Sequence, residues 1–285
     1  MELASAGTTV DAINITTGVR TIEFQADTGL YVNGVNVKMR GFCDHSSFAG
    51  VGAAVPDRIE LFRAQALRAV GGNAWRMAHN PPAVARLDAM DMLGMLALDE
   101  NRDFGAKSSF LLNKKPAASP SSENQQDELM DLRDLIKRDR SHPSVIWWSF
   151  CNEVGCNNNT AAKDFREISK LWDPTRAVTQ NHHGTDESTR YLDVQGFSHK
   201  GGSSFDDFHK QYPTKPMAAT ECCSCMSQRG VDEDVCPGPK DGGCIKGPKV
   251  KPGVFCECLS LLVVGVSDLF AFCCCAWQLH TPRQQ

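Results

Sequence analysis

The apolar positions of the chain change period along its length, and each change marks an element. Residues 20–42 alternate loosely, with a strand over Thr21–Phe24 and a turn at 27–29. The runs Tyr31-Val32 and Val35–Met39 flank Asn33-Gly34, a hairpin dipeptide. At Pro56 the spacing becomes helical, with Ile59, Phe62, Ala66 and Ala69 on one face and Gly71-Gly72 as the stop. A rhythm of short apolar strand and amphipathic helix follows. Strands are predicted over Asn73–Met77, Met95–Asp99, Val145–Phe150, Ala177–Gln180, Leu192–Gly196 and Met217–Thr220. Helices are predicted on Val84, Leu87, Met90 and Leu93, on Leu129, Leu132, Leu135 and Ile136, over Ala161–Trp172 and over Phe205–Tyr212. The polar stretch 105–126 reads as a long loop.

Near-continuous apolar strands alternating with helices call for a parallel sheet covered by helices. Counted from Val37, seven strands precede residue 222, which suggests a (β/α)₈ TIM barrel (α/β class) lacking its last strand. A doubly wound open sheet is the alternative, but no Gly-rich phosphate loop follows the first strand.

Composition narrows the partners more than the fold. The 285 residues are 41% hydrophobic and 22% charged, those of a globular protein, and the net charge of −4 gives no reason to expect nucleic acid. The N-terminal residues have neither a basic nor an apolar leader region, so no secretory signal is read and a cytoplasmic location is the default. Ten of the 13 cysteines lie at or beyond Cys222, unlike a framework of disulfides spread through a fold.

In a barrel, the residues just past the strands form the site. Here they are Asp44-His45, then Arg76 with His79-Asn80, Asp99-Glu100, Asn152-Glu153, Asn181-His182-His183, His199 and Glu221. Two carboxylates, on strands four and seven, face each other across such a mouth. Glycosidic bond cleavage needs one acid to protonate the leaving oxygen and one carboxylate to attack or to activate water. Asp99 and Glu100 read as charges of the barrel floor or behind the site, and His182-His183 as solvated loop residues.

Five segments carry a resemblance: VNGVNVKMRGFCDH, WRMAHNPP, LALDEN, RDRSHPSVIWWSFCNE and KPMAATE, in this order over residues 20–230. Together they resemble family 2 glycoside hydrolases, the β-galactosidase and β-glucuronidase group. The resemblance implies a retaining hydrolase acting on a terminal β-linked sugar, β-galactosidase-type first, with a β-linked oligosaccharide or glycoside as partner. It implies Glu153 as general acid/base, Glu221 as nucleophile and Asn152 as the amide on the sugar 2-hydroxyl. His45 and His79 match histidines lining the terminal-sugar subsite. Arg76 matches an arginine that keeps the nucleophile ionised, and His199 stands where many relatives carry a tyrosine bonded to the nucleophile.

The chain also departs from that pattern. Residues 1–35 have room only for a remnant of the immunoglobulin-like β-sandwich that precedes such barrels, leaving 36–230 for the barrel. Glu100-Asn101-Arg102 lacks the histidine of the family's magnesium motif, so neither a metal nor another cofactor is expected. Residues 231–285 are Cys-rich and divergent and read as disordered or aberrant. Their apolar run 259–277 carries Asp268, which argues against a membrane span. Oligomerisation stays open. The alternative reading is a catalytically impaired, truncated barrel acting as a non-catalytic carbohydrate-binding protein. RDFG at 102–105 lacks the companion motifs of a kinase. The spacing Cys222-x-x-Cys225 is a loose match to zinc ligation.

Overall fold

The structure is a computed structural model that describes residues 2–48, 50–102, 122–153, 159–182, 184–200 and 203–221. Two small antiparallel sheets come first. β1 (Glu2–Ser5) pairs with β2 (Thr8–Ala12), and β3 (Ile22–Gln25), β4 (Gly29–Val32) and β5 (Val35–Val37) form a meander. Asn33 and Gly34 both take positive φ, 51° and 74°, as a two-residue hairpin turn of the mirror-image type requires. Phe24 of the meander stacks on Trp147 at 5.2 Å and Leu30 is fully buried beside it, so the meander covers the end where the parallel strands begin.

Seven parallel strands follow in chain order. They are β6 (Gly41–Asp44), β7 (Ala74–Met77), β8 (Leu96–Glu100), β9 (Val145–Asn152), β10 (Ala177–Asn181), β11 (Gln195–Ser198) and β12 (Met217–Glu221). The first five form one sheet, and a parallel bridge from His182 to Phe197 carries the order on to β11 and β12. Helices α1 (Asp57–Ala69), α2 (Val84–Leu93), α3 (Ser122–Asp139), α4 (Asn159–Trp172) and α5 (Ser203–Gln211) lie between them in sequence. Each strand therefore runs the same way, and all the strand ends named above open on one side.

Three expectations shift. The strand counted from Val37 is two elements, because Asn73 replaces ladder bonds at 38–40: its amide donates to the Lys38 carbonyl at 2.9 Å and its Oδ1 accepts from Arg40 N–H at 2.7 Å. The sixth parallel strand begins at Gln195 rather than Leu192, because a 3₁₀ turn over Glu187–Tyr191 intervenes, started by Asp186 accepting from the Ser188 N–H at 2.7 Å. Helix α3 begins at Ser122, inside the stretch expected to be loop; residues 105–121, the tail 231–285 and the apolar run 259–277 lie outside the described residues.

Strand parity divides the core. Ala74, Leu98, Trp147 and Ala218 pack together on one side of the sheet with Leu30 and Met39. Trp75, Ala97, Trp148 and Val178 face the other way, against Leu67, Leu87, Leu132, Ile136 and Phe165 of the helices. Close packing demands glycine at 196, where an added Cβ would sit 2.0 Å from the Gln180 carbonyl oxygen. Charge is buried on the helical side as well. Arg86 of α2 grips Glu60 of α1 with two bonds, of 2.8 and 2.9 Å, and its guanidinium lies 4.6 Å from the Trp75 ring. Asp99 also faces this side; burial, then neighbouring Asp139, push its carboxyl well above the usual range.

Candidate active site

Arg76 organises the open end of the strands. It leaves β7 on the same face as Ala74, is completely buried, and pairs with Glu100 of β8 through two bonds of 2.8 Å each. Its remaining donors spread outwards. Nη1 donates to Glu221 Oε2 at 3.0 Å and to Cys43 Sγ at 3.2 Å, and Nη2 also donates to Asn152 Oδ1 at 2.8 Å, with His79 Nδ1 at 3.1 Å. Burial alone would weaken its protonation, but Glu100, Cys43 and Glu221 outweigh it and hold the guanidinium charged. A planar fork is needed for this; a lysine could not serve four elements at once.

The expected strand-end residues converge on this centre. β9 is buried along its whole length, VIWWSFCN, and delivers Asn152 and then Glu153. Asn152 Oδ1 accepts from Arg76 and from Asn181 Nδ2, the latter at 2.6 Å. This fixes the amide flip. Register shifts at the ends of β10 and β11 seat Asn181 beside Asn152 and Ser198 beside Glu221. Such irregularities re-aim side chains where a ladder ends.

Glu153 and Glu221 are both partly buried carboxylates of the mouth. One oxygen of each, with a ring nitrogen of His199, forms a triangle whose corners all lie within 4.8 Å of one another. His199 Nε2 is 3.2 Å from Glu221 Oε1 and 3.4 Å from Glu153 Oε1. Ser198 donates its hydroxyl to Glu153 Oε1 at 2.5 Å. The other oxygen of Glu221 accepts from Arg76 and, at 3.1 Å, from Asn181. Burial would raise the Glu221 pKa, but the hydrogen bond from His199 and the charges of Arg76, His79 and His199 more than offset it and hold the carboxyl down at about 2.

Backbone geometry supports both ends of the pair. Glu153 has φ +41° and His199 φ +51°, left-handed values that cost non-glycine residues on the order of 1–3 kcal/mol. Each is held there by a main-chain bond: Glu153 N–H to Asn181 C=O at 2.7 Å, and His199 N–H to Glu221 C=O at 2.6 Å. The histidines past the first two parallel strands form a further wall. The His45 and His79 rings meet edge to face at 5.1 Å, and burial followed by the proximity of His79 lowers the His45 pKa. Arg63 of α1 anchors that wall, donating to the Asp44 carboxylate and to the His45 carbonyl at 2.8 Å.

Arg76, His79, Asn152, Glu153, His199 and Glu221 are thus joined by direct contacts, with His45 edge to face with His79. His182 instead closes a local turn with Gly184, and His183 lies outside the described residues. The sequence reading left Glu100 behind the site, gave Asn181 no role and did not name Ser198. Strand parity could have found Glu100, since it shares a sheet face with Leu98. Asn181 carried its signal in its strand-end position.

The family model for glycosyl hydrolases family 2, TIM barrel domain, matches residues 24–231. The chain is 30% identical over 261 residues to β-galactosidase BoGH2A of Bacteroides ovatus, covering 78% of this chain and 30% of that protein. It is 28% identical over 244 residues to a β-glucuronidase of Bacteroides fragilis, covering 78% and 33%. A solved β-glycosidase from Bacteroides vulgatus superposes with a TM-score of 0.69 at 33% identity, over 81% of this chain and 29% of that one. The chain spans about a third or less of the length of these relatives.

Proposed function

The chain belongs to family 2 of the glycosyl hydrolases, through its TIM barrel domain, and on that premise we propose that it is a retaining hydrolase of terminal β-linked sugars. The observation that carries this reading is the separation of the two carboxylates. Oxygens of Glu153 and Glu221 within 4.8 Å of each other fit the short gap of about 5–5.5 Å between carboxyl groups that direct attack requires. An inverting enzyme keeps its carboxyl groups about 6.5–9.5 Å apart, to hold a water between one of them and the sugar.

In this mechanism Glu221 attacks the anomeric carbon while Glu153 gives its proton to the leaving oxygen. A glycosyl ester on Glu221 results. Glu153, now a carboxylate, takes a proton from the incoming water, whose oxygen replaces Glu221 at the anomeric carbon. The low Glu221 pKa favours the ionised nucleophile, and Arg76, Asn181 and His199 hold its two oxygens in place. Asn152, with Oδ1 already occupied, presents N–H donors for the sugar 2-hydroxyl. His45 and His79 line the subsite for the terminal sugar.

Relatives bear both β-galactosidase and β-glucuronidase names. We take β-galactoside as the first substrate to test, with β-glucuronide next. The experiment is hydrolysis of aryl β-galactoside, β-glucuronide and β-mannoside by the purified chain beside its Glu153→Gln and Glu221→Gln variants. Turnover of one glycoside that either substitution abolishes supports the reading. Turnover unchanged in both variants overturns it.

A further inference from the structure

Among the described residues, the Glu153–His199–Glu221 triangle is one of two groups whose donor atoms come close enough to share an ion. The other, Asp88, Asp91 and His142, is a closed ion pair: His142 Nδ1 lies 2.6 Å from Asp91 Oδ2, and Asp91 Oδ1 accepts the Ser144 N–H. The first triangle differs in shape and in access. Its two nitrogen-to-oxygen edges are 3.2 and 3.4 Å. A tetrahedral zinc ion with bonds of about 2.0–2.1 Å to nitrogen and oxygen has ligand–ligand edges of roughly 3.3–3.4 Å by simple geometry. The two edges therefore match those of a zinc coordination sphere.

The donor set fits the same ion. One imidazole and two carboxylates suit a borderline divalent metal such as Zn²⁺ better than Mg²⁺, which takes oxygen ligands and retains its waters. Glu221 divides its oxygens: Oε2 faces Arg76, whereas Oε1 faces His199, so a cation on Oε1 sits on the side away from the guanidinium. His199 is 36% exposed at its side chain, which gives an ion and a fourth ligand water a path in.

We propose that Glu153, His199 and Glu221 form a binding site for a divalent transition-metal ion of the Zn²⁺ class, and that the bound ion switches the site off. The inhibitory part rests on the glycosidase reading above; the binding part does not. An ion on these three donors would occupy the nucleophile and the acid together and fill the space of the anomeric centre. It would act as a competitor of the sugar, not as a cofactor.

Titration of the full-length protein with Co²⁺, a chromophoric stand-in, tests binding without any turnover. The expected result is one ion per chain with the visible ligand-field absorption of a nitrogen–oxygen site, displaced by Zn²⁺. The cysteines beyond Cys222 would instead give the intense near-ultraviolet charge transfer of thiolate ligation, so the two are separable. His199→Tyr, which removes the imidazole, is expected to weaken the visible-band site more than tenfold. Glu153→Gln serves as a second variant, with circular dichroism to show that each remains folded. An unchanged visible band in both variants, or none in the wild type, overturns the site. Where an aryl β-glycoside is turned over, Zn²⁺ is expected to inhibit competitively, and less so in His199→Tyr. Co²⁺ binding without any hydrolysis would sink the glycosidase reading and leave the metal site standing.

Discussion

Arg76 and Glu221, 145 positions apart in sequence, meet at 3.0 Å across the open end of the parallel strands. The same guanidinium is locked from behind by two bonds to Glu100. One side chain therefore joins the core of the sheet to the carboxylate proposed as nucleophile. Removing it has two consequences that can be measured apart.

Arg76→Met is expected to lower kcat/KM by about 10²–10³-fold, the usual cost of losing one preorganised donor to a reacting group. It should also destabilise the fold by about 3–5 kcal/mol, because Glu100 is left buried without its cation. Arg76→Lys keeps the charge but loses the fork, and should recover little of either. Steady-state kinetics and urea unfolding of the three proteins check this.

Glu60 and Arg86 form the equivalent pair on the helical side. Either Glu60→Gln or Arg86→Met alone should cost about 3–5 kcal/mol, for the same reason of an uncompensated buried charge. The double variant Glu60→Gln/Arg86→Met should be far less harmful than the sum. Additive losses in a double-mutant cycle of denaturation midpoints would show that the two do not act as a pair.

Gly196→Ala places a methyl group 2.0 Å from the Gln180 carbonyl oxygen, where only backbone movement can relieve the clash. A loss of about 1–3 kcal/mol is expected from such overpacking, with β10 and β11 pushed apart. Gly184→Ala, where an added Cβ meets nothing within 4 Å, should be nearly neutral in the same unfolding assay.

His142 and Asp91 make stability depend on pH. The hydrogen bond to Asp91 raises the His142 pKa against the opposing effect of burial. Its contribution is therefore complete below the unfolded value of about 6.5 and is lost as pH rises through the folded value. Burial would raise the Asp91 carboxyl, but hydrogen bonds from His142 and Ser144 outweigh it and lower the pKa. Its contribution is present above the unfolded value of about 3.9 and is lost as pH falls through the folded one. Asp88, 3.9 Å from His142 on the same side, and nearby Asp139 add to the histidine's shift. The stability gap between wild type and His142→Gln should thus narrow as pH rises from about 6 to about 8. A gap that widens over that range contradicts the assignment.

The parallel strands and their polar ends were legible because their cause is local. A short apolar run that stops at Asn152-Glu153 or at Glu221 announces its own direction. What was not legible depends on neighbours distant in sequence. Glu60, Arg63 and Arg86 lie on helices, where charges usually face water, yet all three are buried, because they pair with one another, with Asp44 and with the face of Trp75. Glu100 passed for a charge behind the site because its partner Arg76 stands 24 residues earlier. Ser198 and Asn181 gain their roles from register shifts between strands, which no single strand's pattern reveals.

The central claim is that Glu153 and Glu221 are close enough for two successive displacements at one carbon. Proton NMR of the first sugar released from an aryl β-glycoside tests it most directly. The account predicts that the β-anomer forms first and mutarotates afterwards to the mixture. An α-anomer formed first would mean a single inversion with a water between the carboxylates, and would contradict the account.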